Sequence, residues 1–355
     1  MPTDSPGFGS HAAGFMFSNT LAGRDVNPTS SNTENKSGSI IACAFSTWAI
    51  CGIAVAARFY ARGKIQHVLG KEDWCVLVAY LMSFGFTMAT VYGAIYGMGS
   101  HISTVSAEDI SKIIRTTWLC NLFYMLSLTF SKISILLLYT RLFRFYRARI
   151  AAWIMMAVVV IYNIWGLCVA FTLCIPLEAY WDPTVHGVCH GASYMWALIG
   201  LHVGTDFLIF LIPIPVVLSM MALSKRQKLG LVLLFALGFF VCIVSILRIV
   251  WVRQFVASAD FLWDYVYINY WNCVEVNSAI VLPCMVVLKP LFRKLWPGAF
   301  SGDHDEIVDA AASDQTPSDR VQLSDAAAWR FEKEVDSFLL KEPQRLHIRN
   351  EPDQA

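Results

Sequence analysis

The stretch Ile150–Cys174 reads IAAWIMMAVVVIYNIWGLCVAFTLC, 25 residues without one Asp, Glu, Lys or Arg. As a helix rising about 1.5 Å per residue it reaches roughly 38 Å, enough to cross the ~30 Å hydrocarbon layer of a bilayer. Working outward, six further apolar stretches meet the same length: Ile40–Tyr60, Trp74–Tyr96, Ile114–Tyr139, Tyr194–Met221, Leu229–Trp251 and Tyr265–Leu288. The expected fold class is all-α, a seven-transmembrane helix bundle with the lipid bilayer as its solvent. Any polar group inside such spans is costly and therefore informative.

Composition agrees. Hydrophobic residues make up 56% of the 355 and charged residues 15%, against about 25% charged in an ordinary soluble domain. Three regions follow: a polar Gly/Ser/Asn/Thr-rich segment over 1–39, the seven-helix domain over 40–296, and a tail over 297–355. The tail holds thirteen Asp or Glu against six Lys or Arg, so the net +1 conceals +8 on the rest of the chain. It is expected to be largely disordered, with a short amphipathic helix where Ala328, Phe331, Val335 and Phe338 follow helical spacing. No basic stripe of the kind that binds nucleic acid is present. Residues 1–39 lack the basic start and compact apolar run of a removable signal peptide.

Loop charge sets the orientation. Arg62, Lys64 and Lys71 follow the first span, Arg141, Arg144, Arg147 and Arg149 the third, and Lys225, Arg226 and Lys228 the fifth. Short loops rich in Lys and Arg stay cytoplasmic, which puts the N-terminus outside, the C-terminus in the cytoplasm, and the protein in a membrane, expected to be the plasma membrane. On the outer, oxidising face Cys174 and Cys189 flank the fourth connection, and a bond between them would contribute roughly 3 kcal/mol. The rival pairing joins Cys189 to Cys120. Asn35-Lys36-Ser37 is a glycosylation sequon on the same face.

Ionisable residues inside the spans are the candidate site. Asp206 lies roughly 18 Å and Glu275 roughly 16 Å from the outer ends of their helices, near mid-membrane. Lys132 lies roughly 13 Å from the inner end of the third span, and Arg248 sits nearer the outer end of the sixth. His202 shares a helical face with Asp206 at i−4. Unpaired charges there cost at least a few kcal/mol, so Lys132 is expected to pair with Asp206 or Glu275, and Arg248 with Glu275. Such a set can line a ligand or ion site, or it can simply fix helix register.

The run Arg58-Phe-Tyr-Ala-Arg62, followed by Gly70-Lys-Glu-Asp73-Trp74, resembles the first cytoplasmic loop of the fungal rhodopsin-like seven-helix membrane proteins. That family includes a satratoxin-cluster membrane protein and receptor-like proteins of plant-pathogenic fungi. Further pieces follow in order: Leu128-Thr-Phe-Ser-Lys132, Tyr139-Thr-Arg141, Cys174-Ile-Pro176, Asp206 with Pro213-Ile-Pro215, Ser245-Ile-Leu-Arg248, and Glu275 with Pro283. Glu72 departs from the family's usual Asp at that place and keeps its charge. The resemblance implies a receptor-like membrane protein, with some members encoded beside secondary-metabolite pathways.

Retinal is not an expected cofactor. Its Schiff base needs a lysine amine in the middle of the seventh helix, where the first lysine is Lys289 at the cytoplasmic end. No Cys-x-x-Cys, His-Glu-x-x-His, phosphate loop or nucleophile elbow is present, so no metal, cofactor or enzymatic activity is expected. The reading that remains is a receptor-like protein sensing a small extracellular molecule and acting on a cytoplasmic signalling partner. A transporter, and less so a membrane-embedded terpene cyclase using intramembrane carboxylates, are the alternatives.

Overall fold

The structure, a computed structural model, describes residues 35–295 apart from 66, 143–145, 183, 215–224 and 259. The expected amphipathic helix of the tail and most of the N-terminal segment lie outside the described residues. The chain divides into two compact units, Met1–Phe292 and Arg293–Ala355. All the elements below belong to the first, save the final residues of the last helix.

Long α-helices dominate: α1 Ser37–Tyr60, α2 Lys71–Ile95, α3 Ala107–Leu142, α4 Tyr146–Phe171, α5 Ala192–Leu211, α6 Lys225–Ala257 and α7 Phe261–Leu295. Between α4 and α5 two short antiparallel strands, β1 Cys174–Ile175 and β2 Val188–Cys189, pair Cys174 opposite Cys189. Among the described residues six helices, α1 to α6, are long and apolar enough to cross a membrane. The last, α7, is not among those six; its middle carries Asn269, Asn272, Glu275 and Asn277, all buried against protein.

Polarity is distributed as a lipid solvent requires. Ile53, Ile95 and Ile161 are 72, 71 and 67% exposed, whereas Arg58, Asp73, Ser83, Thr90, Lys132 and Glu275 are buried. In water this arrangement would strand charges and expose oil; in a bilayer it hides these charged and hydroxyl groups from lipid. α2 and α3 pack closely along their length. Gly85 permits part of it, since a Cβ there would stand 2.8 Å from the Phe123 ring.

Helix boundaries depart from the apolar stretches for identifiable reasons. α3 begins at Ala107, well before Ile114, because Ser106 caps it: the Asp109 N–H donates to Ser106 Oγ (3.2 Å), whose hydroxyl donates to Asp109 Oδ2 (2.7 Å). α5 ends at Leu211, where Pro213, which lacks an N–H, interrupts the hydrogen-bond ladder while Ile212 keeps a helical backbone. The expected continuation to Met221 falls outside the described residues. Cys174 and Cys189 form a disulfide, while Cys120 is a free, fully buried thiol. The rival Cys189–Cys120 pairing is thereby excluded.

Candidate functional site

Five helices meet at one buried network of charges. Lys132 on α3 places its ammonium 3.1 Å from Asp206 Oδ1 on α5. It also lies 2.9 Å from Thr205 Oγ1, 3.1 Å from the His202 carbonyl and 3.3 Å from the Tyr162 hydroxyl of α4. His202, one helical turn before Asp206, presents Nδ1 at 3.2 Å from Lys132 Nζ. An ammonium only donates, so Nδ1 accepts and Nε2 carries the ring proton. That N–H is hydrogen-bonded to Glu275 Oε1 at 3.2 Å, and Asp206 Oδ2 lies at the same distance from Nε2.

Glu275 on α7 is fully buried and has a partner on every side. Ser245 of α6 donates to Oε1 at 2.6 Å, and Tyr124 of α3 donates to Oε2 at 2.5 Å. Arg248 of α6 stands 3.3 Å from Oε2, donates to the Tyr124 hydroxyl, and lies over the Tyr124 ring at 4.9 Å. Two cations and two carboxylates with a neutral imidazole between them sum to zero charge. This is the condition under which such groups persist in a membrane interior.

His202, Asp206 and Glu275 each offer one ligand atom, all within 4.8 Å of one another. Lys132 and Arg248 already neutralise these carboxylates. A divalent ion placed there would add two uncompensated positive charges, so the donor set reads as an ion-pair network. Beside Lys132 and Asp206 lies a cavity of about 50 Å³, walled also by Tyr139, Pro213, Cys242 and Leu282. It has room for a few waters at most.

A second polar cluster ties α1, α2, α3 and α7 together, built on the motif singled out between the first two helices. Arg58 is fully buried; its Nε and Nη2 each lie 2.7 Å from Asp73 Oδ1, and its guanidinium also donates to the Pro283 carbonyl of α7. Asp73 Oδ2 accepts the Gly70 N–H at 2.8 Å and so closes the start of α2. Glu72 Oε1 takes Arg62 at 3.0 Å and Arg141 at 2.8 Å, so the carboxylate at this position is paired with two cations. Trp74 instead points outward, 59% exposed. Asn35 is exposed, its Oδ1 accepting the Ser37 N–H at 2.8 Å.

Pro283 has a further consequence. Having no N–H, it leaves the carbonyl four residues earlier, that of Ala279, without its helical donor. Ser131 Oγ of α3 supplies the missing bond at 2.5 Å.

The structure thus brings Lys132, His202, Asp206, Arg248 and Glu275 together, and Arg58, Arg62 and Asp73 into a separate cluster. Sequence reasoning passed over Tyr124, Tyr162 and Thr205, and named Arg141 as a loop charge and motif residue without pairing it to Glu72. Tyrosines in apolar helices are usually packing or interface residues, and nothing in the spacing marks these two as partners of a charge.

Comparison with known proteins gives the same placement. The fungal rhodopsin domain model matches residues 57–294. The chain belongs to the fungal rhodopsin domain family. Together with its apolar helices, this makes it a multi-pass membrane protein. A polyenoic acids biosynthesis gene cluster protein of Metarhizium anisopliae is 25% identical over 68% of this chain and 70% of its own length. A SAT4 family membrane protein of Emericella nidulans is 25% identical over 59% of this chain, and the match spans about half, 53%, of that relative. Receptor GIN3 of Arthrobotrys oligospora is 22% identical over 73% of this chain and 64% of its own length. No solved structure matches.

Proposed function

We propose that this protein is a seven-span, receptor-like component of a fungal plasma membrane. In this reading α7 is the seventh span, the N-terminus lies outside and the C-terminus in the cytoplasm. It binds a small extracellular molecule, within a secondary-metabolite pathway, and changes its conformation toward a cytoplasmic partner; no catalytic role is assigned to any residue. The observation that carries the reading is the network on α3 to α7. His202 Nε2 donates to Glu275 and lies equally close to Asp206, and each carboxylate has its own cation, so a small helix displacement moves the N–H from one carboxylate to the other without stranding a charge. Such an exchange is what a two-state element requires. The receptor and biosynthesis-cluster relatives support the setting.

The cavity beside Lys132 and Asp206 favours a second reading, transport of a small molecule or ion, since charges at mid-membrane mark such routes. The purified full chain in nanodiscs, screened by thermal shift against small fungal metabolites, separates the two. The receptor reading expects a compound whose stabilisation is lost in Lys132→Met and which does not cross proteoliposome membranes. Accumulation of that compound inside the vesicles would establish transport instead.

A further inference from the structure

The chain end that begins α1 is seated in a cluster of aromatic rings, apart from the charge network. Lys36 Nζ lies 3.6 Å from the centroid of Trp263 and 4.6 Å from that of Tyr267, and it donates to the Tyr267 hydroxyl at 2.8 Å. Both rings are braced from behind. Trp251 stacks on Tyr267 at 4.8 Å and 17°, and His101 stacks on Trp263 at 4.2 Å and 13°. His101 is in turn held to Asp260 at 2.8 Å.

The backbone of Lys36 is anchored as well, its N–H donating to the Gly99 carbonyl at 3.1 Å. Gly99 has φ +98°, and a Cβ there would stand 3.2 Å from the Ser37 nitrogen, so only glycine lets the two segments meet this closely. Among the described residues no carboxylate pairs with Lys36. Asp260, the nearby acid, is spent on His101 and on the N–H groups of Ile102 and Trp263. The ammonium is therefore held by π faces and one phenol oxygen, the manner in which aromatic cages hold ligand ammonium groups.

We propose that Trp263 and Tyr267, the latter backed by Trp251, form a binding site for an organic ammonium group, and that Lys36 occupies it as a tethered surrogate which the ligand displaces. The inference goes beyond the proposed function and does not depend on it. Glu275 lies eight or more residues further along α7 than the cage, about 12 Å or more at helical rise. The ammonium could belong to a free amine or to a choline lipid headgroup, which share this chemistry.

The test uses the full chain in nanodiscs of phosphatidylglycerol, which carries no ammonium, with tetramethylammonium chloride as probe. Acetylation of Lys36 by an N-hydroxysuccinimide ester, read by mass spectrometry, is expected to accelerate saturably with the probe. Equal concentrations of sodium chloride or uncharged tert-butanol should have no effect. In Lys36→Ala the cage is vacant, and tryptophan fluorescence should report binding about tenfold tighter than in the wild type, lost again in Lys36→Ala/Trp263→Leu. Repeating the wild-type titration in phosphatidylcholine nanodiscs assigns the source: an unchanged response identifies a soluble amine, and a suppressed one the lipid headgroup. Constant Lys36 acetylation in phosphatidylglycerol at all probe concentrations, or acceleration by tert-butanol equal to that by tetramethylammonium, overturns the proposal. The acetylation experiment needs no substitution and so holds even if a variant fails to fold.

Discussion

Pro283 shows how one residue sets a requirement two helices away. Its missing N–H leaves the Ala279 carbonyl to Ser131, so Ser131→Ala is expected to cost about 1–3 kcal/mol, the penalty of an unsatisfied buried acceptor. In a Pro283→Ala background the restored N–H should reduce that cost to near zero, which a double-mutant cycle on thermal unfolding in detergent will measure. Tyr124→Phe removes a donor from Glu275 Oε2 and should destabilise by about 1.5–3 kcal/mol, as hydrogen bonds to charged groups do. At this scale the sequence was informative about the charges, because an ionised side chain in a bilayer is rare enough to stand out. It left open which carboxylate Lys132 meets. The answer, Asp206, depends on how α3 and α5 face each other across the bundle, and that angle comes from packing rather than from spacing along either helix.

Elements were legible to different degrees. Length and hydropathy located the helices, since lipid leaves the backbone no alternative. They missed the true start of α3, where Ser106 and Asp109 rather than apolar residues decide the boundary. The capping signature was present in Ser106-Ala-Glu-Asp109, and Ser106→Ala should lower stability by about 1 kcal/mol in chemical denaturation. The β1–β2 hairpin is closed by Cys174–Cys189 over a separation of 15 residues. Cys189→Ala is expected to cost roughly 3 kcal/mol, read as a lowered thermal midpoint. Cys120→Ala should leave non-reducing gel mobility unchanged, because Cys120 carries no bridge.

Across the whole molecule, two polar clusters tie the helices together. One, built on Arg58, Glu72, Asp73 and Arg141, binds α1, α2, α3 and α7. The other, built on Lys132, His202, Asp206, Arg248 and Glu275, binds α3 to α7. The second holds two cations and two carboxylates that lipid cannot solvate, so it must stay matched. The most direct measurement of that claim is unfolding of the reconstituted protein as wild type, Lys132→Met, Asp206→Leu and the double variant. Each single change leaves one buried charge unpaired and should cost about 3–5 kcal/mol. The double variant removes both charges, so it is expected to be more stable than either single variant. A double variant whose loss equals the sum of the two single losses would contradict the account, showing that Lys132 and Asp206 do not neutralise one another inside the membrane.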